Sequence, residues 1–149
     1  MRKTILLMLT LFLFNSCTNN NQDEIDCRLF DPVIQHLLVV LVDENGINLL
    51  ENGTFDKETI KIRLNSAEFQ ATKLDIFENS IAIQLLEQGA NTYEIVLSET
   101  ETDTLVLNLS IREQICGFQF YNLDKAIYNG EAQTIIFENN SDPKIRVIK

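Results

Sequence analysis

Three cysteines, a single histidine and 22 carboxylates are the side chains of this sequence whose chemistry could reach beyond packing. Cys17 stands where an oily run gives way to asparagines in LFNSCTNNNQDEIDC, Cys27 closes that stretch, and Cys116 lies far downstream in ICGFQFY. A structural metal centre needs several converging His, Cys or carboxylate ligands. His36 sits within the strand-like run QHLLVVLVD and reads as a surface or edge residue, not a ligand. DENGINLLE offers oxygen donors at Asp43, Asn45, Asn48 and Glu51. A calcium loop of the EF-hand order requires glycine at its sixth position and glutamate at its twelfth. Counted from Asp43, glycine is fourth and glutamate ninth, so the stretch reads as a turn with Gly46 or Asn45 at positive φ. Glu99, Glu101 and Asp103 recur at every second residue of SETETDT and read as a solvated acidic face.

Nucleophilic and acid–base chemistry is poorly supplied. There is no GxSxG elbow, and the five glycines are scattered singly in turns instead of forming a phosphate-binding loop. A glycosidase needs two carboxylates facing each other across a cleft, and spacing alone singles out no pair. The chain has no tryptophan to stack on a sugar ring; Tyr93, Tyr121 and Tyr128 are expected to pack in the core or at its edges, as are Phe118 and Phe120. No catalytic, cofactor-binding or metal-ligating residue is assigned, and a non-enzymatic domain is expected.

The N-terminus, MRKTILLMLTLFLFNSC, joins a basic start at Arg2 and Lys3 to an apolar run from Ile5 to Phe14 broken only by Thr10. That run is shorter than the roughly 20 residues needed to span a bilayer and has the form of a secretory signal. Phe14-Asn15-Ser16-Cys17 resembles the lipobox of bacterial lipoprotein precursors, with Ser16 as the small residue and Cys17 as the acceptor, although Phe14 stands where leucine is usual. The resemblance implies cleavage before Cys17, lipid modification of Cys17, and attachment to a membrane; several acyl chains anchor stably where one does not. Cleavage would take the chain from 149 residues and a net charge of −10 to 133 residues and −12, because the removed segment holds two basic residues and no acid. So acidic a domain is a poor partner for nucleic acid phosphates. The expected organisation is a signal peptide over 1–16, a lipidated Cys17 with a polar tether to 26, and one folded domain over 27–149. The acidic residues of NNNQDE loosely resemble surface-export signals of Bacteroidetes-type lipoproteins, which implies a cell-envelope protein, with the outer membrane favoured and its face open.

Export also determines what the remaining cysteines do. In an oxidising compartment an even pair is readily joined, and a Cys27–Cys116 bond would close a loop of about 90 residues, stabilising the chain by about 4–5 kcal/mol on an entropic account. Cys116 shares strand parity with Phe118 and Phe120 and is expected to face the core.

The elements that must position these groups have period two. Ile60, Ile62 and Leu64 share a face in TIKIRLN, as do Ile81, Ile83 and Leu85, then Tyr93, Ile95 and Leu97, then Leu105, Leu107, Leu109 and Ile111, and finally Ile145 and Val147. QHLLVVLVD is continuously apolar and reads as a central strand covered on both sides. TKLDIFE, Gly117–Tyr121 and TIIFE are further candidates, and Ser66–Ala71 could hold a short helical turn. DENG, ENG, EQGAN, YNG and NNSDP supply the turns. Eight or nine short strands without a long helix predict an all-β, antiparallel two-sheet sandwich, immunoglobulin-like or transthyretin-like in topology. LLVVLVDENGINLLENGTF also resembles the strand, D-x-x-G turn and second strand that open carboxypeptidase-regulatory-like modules. The expected function is a non-enzymatic binding or structural module of the envelope, its partner an envelope protein or a glycan. A weak cation or small-ligand binder and a hydrolase are the alternatives.

Overall fold

A computed structural model describes residues 26–65, 67–70, 79–138 and 142–149. The signal-like segment, Cys17, the TKLDIFE candidate and much of NNSDP lie outside the described residues. Among the described residues, 26–30 belong to one unit and those from 31 onward to a second, which holds the nine described strands.

The strands are β1 (His36–Val42), β2 (Lys61–Leu64), β3 (Ala67–Gln70), β4 (Ile81–Gln84), β5 (Gly89–Val96), β6 (Thr102–Ile115), β7 (Phe118–Tyr128), β8 (Glu131–Gln133) and β9 (Lys144–Ile148). They form a three-stranded sheet in the order β4-β1-β9 and a six-stranded sheet in the order β3-β2-β5-β6-β7-β8. This is an all-β, sandwich-like arrangement, as the periodicity predicts. All pairings but one are antiparallel; β1 and β9, the first and last strands, run parallel with Val39 opposite Ile145 and Leu41 opposite Val147.

Alternation decides what lies between the sheets. From the small sheet, Leu37, Val39 and Leu41 of β1, Ile81 and Ile83 of β4, and Ile145 and Val147 of β9 are buried. From the large sheet come Ile62, Leu64, Tyr93, Ile95, Leu105, Leu107, Leu109, Leu123 and Ala126, and all of these side chains belong to one hydrophobic cluster. As expected of a continuously apolar strand, β1 is central in its sheet, and its second face, Leu38 and Val40, is half-buried.

In β7 the buried residues are Tyr121 and Leu123, then Ala126 and Tyr128, so the inward parity flips partway along the strand. The register explains it: Leu109 pairs with Leu123 but Asn108 with Lys125, leaving Asp124 as an extra residue on β7. A second slip follows on β6, where Ile111 pairs with Tyr121 but Glu113 with Phe120, leaving Arg112 as the extra residue. Such bulges bend the strand and re-aim the side chain they insert. Ile111 is already exposed just before the second bulge, and beyond it β6 and β7 run on past the core as a hairpin arm in which Phe118 is exposed too.

Several expectations are corrected. Residues 67–70 are not a helical turn but strand β3, paired with β2 with Glu68 opposite Arg63; Glu68 bridges Lys61 at 2.7 Å and Arg63 at 3.0 Å. TIIFE is not a strand: it contributes one bridge, Ile136 to Lys144, as the chain passes between the sheets. The D-x-x-G turn forms, with the Gly46 amide donating to the Asp43 carbonyl and Gly46 at φ 82°. The second strand expected after it shrinks to a single bridge between Val42 and Asn48. Asn48 is the reason, since its Oδ1 accepts from the Leu50 and Glu51 amides and its Nδ2 donates to the Asn79 carbonyl, so the chain turns there. Cys116 does not face the core from a strand: it occupies the first central position of the β6–β7 turn, at φ 52°, followed by Gly117 at φ 85°. Two consecutive positive φ values mark the type I′ geometry that suits the twist of a hairpin, repeated by Asn129 and Gly130 between β7 and β8. Phe118 and Phe120 flank that arm and are exposed and half-buried, not core residues.

Leu107 is fully buried whereas its neighbour Val106 points to the opposite face and is half-buried. Leu107→Ala should therefore cost about 2–5 kcal/mol in urea unfolding, and Val106→Ala less than half as much; equal losses would contradict the assigned inward face.

Candidate binding site

Both cysteines downstream of Cys17, Cys27 and Cys116, are disulfide-bonded. The Arg28 side chain near the first of them forms a two-pronged pair with Asp26 at 3.0 and 2.9 Å, which holds the exposed Asp26 carboxyl below its usual range. Cys116, at the tip of the hairpin arm, is half-buried.

His36 is neither exposed nor on an edge strand: it opens the central strand β1 and is 8 % exposed. Its backbone amide donates to Asp142 Oδ1 at 3.3 Å, and its Nδ1 lies 3.7 Å from Asp142 Oδ2. Among the described residues, no three His, Cys, Asp or Glu side chains converge as a metal site.

The acidic stretch 99–103 also departs from expectation, because Asp103 is buried at 4 % exposure. Strand alternation turns it inward at the start of β6, where its carboxylate accepts from Tyr128 Oη at 2.7 Å, Asn129 Nδ2 at 2.8 Å and Lys149 Nζ at 2.5 Å. Lys149 also bridges Glu101 at 2.6 Å, and its backbone amide donates to the Val42 carbonyl. The cluster thus clips the end of β9, in one sheet, to β6 and β7 in the other. Burial pushes the Asp103 carboxyl up, but the hydrogen bonds from Lys149, Asn129 and Tyr128, with the lysine charge, prevail and hold it below the usual carboxylate value. Burial lowers Lys149, and its bonds to Asp103 and Glu101 more than restore it, raising it. The Tyr128 phenol is pushed up by burial and by Asp103. This is a structural ion cluster, missed in the sequence because a solvated acidic run and a run with one inward member have the same spacing.

Tyr93 and Tyr121 reach from the large sheet towards the end of β4, whereas Tyr128 bonds within the large sheet to Asp103, all three as expected of core and edge residues. Tyr93 Oη donates to the Gln84 carbonyl at 3.1 Å, and burial pushes its phenol up to about 12. Tyr121 Oη donates to the Leu86 carbonyl at 2.9 Å. Gln35 completes the seam: its Oε1 accepts from the Tyr121 amide at 2.7 Å, and its Nε2 donates to the Tyr121 carbonyl at 3.3 Å, so a side-chain amide occupies the place of a strand neighbour.

Above that seam lies a cleft of about 390 Å³. Arg112 and Asp124, the two extra residues of the two bulges, both line it, with Asn122, Phe137 and Asp142. Arg112 lies 5.8 Å over the Phe120 ring and bonds Glu113 Oε1 through Nε at 3.0 Å and an Nη at 2.6 Å. Asp124 Oδ1 accepts from Ser110 Oγ at 3.0 Å, and Phe137 is 67 % exposed. Bulges concentrate beside functional sites, and nothing in residue order marks these two. A second cleft of about 350 Å³ opens between the β8 and β9 edges, lined by Asn129, Glu131, Arg146 and Lys149. No protein-family model, curated protein or solved structure matches this chain.

The ion cluster has a definite pH signature. Folding lowers the Asp103 pKa from an ordinary value of 3.8, so its contribution is complete above that value and is lost as pH falls through the folded one. Folding raises the Lys149 pKa from 10.5, so its contribution is complete below that value and is lost as pH rises through the folded one. The stability difference between wild type and Asp103→Asn should be about 1–3 kcal/mol at neutral pH and shrink below about pH 4. Urea titrations across pH check this; a difference independent of pH would contradict it.

Proposed function

We propose that this protein is a lipid-anchored module of the bacterial cell envelope that binds a partner without catalysing a reaction. The single observation that carries its exported setting is the disulfide-bonded state of Cys27 and Cys116, since such bonds persist in oxidising compartments and are rare in reducing ones. The signal-like residues 1–16, the lipobox-like Phe14–Cys17 and the polar tether to residue 26 support the same setting. On this reading Cys17 carries the acyl chains, the outer membrane is the favoured site, and Cys27 and Cys116 pair with each other.

A binding role is supported by how the polar residues are used. The buried carboxylate, Asp103, is already satisfied by three donors, including a lysine. The exposed polar side chains that two bulges re-aim into one cleft are of the kind that hold a ligand.

Two measurements test the proposal. Wild-type protein expressed in a bacterial host should partition with membranes and gain acyl mass, whereas Cys17→Ser should do neither; equal partitioning would overturn the anchor. Non-reducing peptide mapping should recover one crosslinked species joining the peptides around Cys27 and Cys116. Cys27→Ala and Cys116→Ala should each cost up to about 4–5 kcal/mol, and the double variant little more than either, because partners in one bond are non-additive. Fully additive losses would refute the pairing.

A further inference from the structure

The geometry points to the cleft beneath Phe137 as a binding site for a neutral carbohydrate, a hexopyranose or a short chain of them. The inference rests on the reading of the domain as a binding module and is independent of the lipid anchor. Its volume, about 390 Å³, falls within the range of about 300–1,000 Å³ usual for small-ligand sites. The shape is set by the backbone: without the bulges at Arg112 and Asp124, strand alternation would direct these side chains differently.

The chemistry of the lining selects the ligand class. Arg112 and Asn122 bring hydrogen-bond donors, and Asp124 and Asp142 bring acceptors. Asp124 Oδ1 accepts from Ser110, and Asp142 faces His36 with both oxygens, Oδ1 at the amide and Oδ2 3.7 Å from Nδ1, so both carboxylates are held in place and Asp124 Oδ2 is the oxygen offered to a ligand. An anion would meet two carboxylates beside an arginine whose charge Glu113 already offsets at 2.6 Å. A cation would be served by the carboxylates but would leave the Arg112 and Asn122 donors facing it. A sugar hydroxyl donates and accepts at once, so a ring of vicinal hydroxyls satisfies both sets. The remaining requirement is a flat apolar surface for the C–H face of the ring. Phe137, an aromatic ring 67 % exposed at the rim, supplies it. Exposing such a ring to water gives no folding benefit, whereas covering it with a sugar buries apolar area.

The test is a titration of the full chain, isotope-labelled for amide NMR, at tens of millimolar sugar. The probes are glucose, galactose, mannose and N-acetylglucosamine with their common disaccharides, with glucosamine as the cationic probe and sialic acid as the anionic one. At least one neutral sugar should give saturable shifts at the amides of Arg112, Asn122, Asp124, Phe137 and Asp142. Phe137→Ala and Asp124→Asn should each weaken that binding by about tenfold while leaving the thermal midpoint and the rest of the amide spectrum in place. Both residues are exposed, so neither change removes core packing; if one variant unfolds, the other carries the test. Glu131→Gln, at the second cleft, should leave binding unchanged. The assignment is overturned if no neutral sugar shifts those amides, if only glucosamine or only sialic acid does, or if the shifts fall at the second cleft instead. Any of these would leave the membrane partitioning of Cys17→Ser unaffected, so failure of the sugar site and failure of the anchored module are read separately.

Discussion

The burial of Leu37, Val39 and Leu41 in one cluster with Ile95, Leu105 and Leu107 is the contact on which the rest of this molecule depends. Each sheet is apolar on one face, and neither the three-stranded nor the six-stranded one can leave that face in water. Each therefore needs the other. β1 sits at the centre of the small sheet, held by β4 on one side and by β9 on the other. Because β9 pairs with it in parallel, the end of the described chain is returned to its beginning. The polar seams follow from that closure: Gln35 and Tyr121 where β1 starts, and Lys149 with Asp103 where β9 ends.

The bulges are the other shaping feature, and they explain how a regular meander acquires a cleft. β6 and β7 are long strands whose inward faces serve the core for only part of their length. The slip at Asp124 restores inward parity after Leu123, so that Ala126 and Tyr128 can be buried. The slip at Arg112 comes where the core ends and the arm begins. Both inserted residues are charged and both border the same hollow, so one distortion of the hairpin serves packing on one face and polar presentation on the other. At the far end of the arm Cys116 takes a positive φ that a residue with a Cβ seldom adopts, with Gly117 completing the turn.

Much of the fold was legible in residue order, because strand alternation and turn chemistry are local signals. Leu105, Leu107 and Leu109 announce an inward face, Asn129-Gly130 announces a hairpin, and the unbroken apolar run from Leu37 to Val42 announces a central strand. What was not legible depends on contacts between residues distant in sequence. Asp103 is solvated or buried according to where Lys149 and Tyr128 lie, and His36 according to Asp142. The parallel pairing of β1 with β9 leaves no mark in either strand, and the arm carries Phe118 beyond the core on the parity opposite to buried Tyr121 and Leu123. The cleft was the least legible of all, since a bulge is a mismatch between two strands and belongs to neither sequence alone.

Native-state amide hydrogen exchange tests the shared core most directly. If the sheets hold each other in place, the slowest amides of β1 and β9 should exchange with the same free energy as the slowest of β5 and β6, and that value should equal the global unfolding free energy. The arm beyond Arg112 should exchange faster. Protection of β1 and β9 lost at a free energy well below that of β5 and β6 would mean that the small sheet opens while the large one persists, and would contradict a single core spanning both.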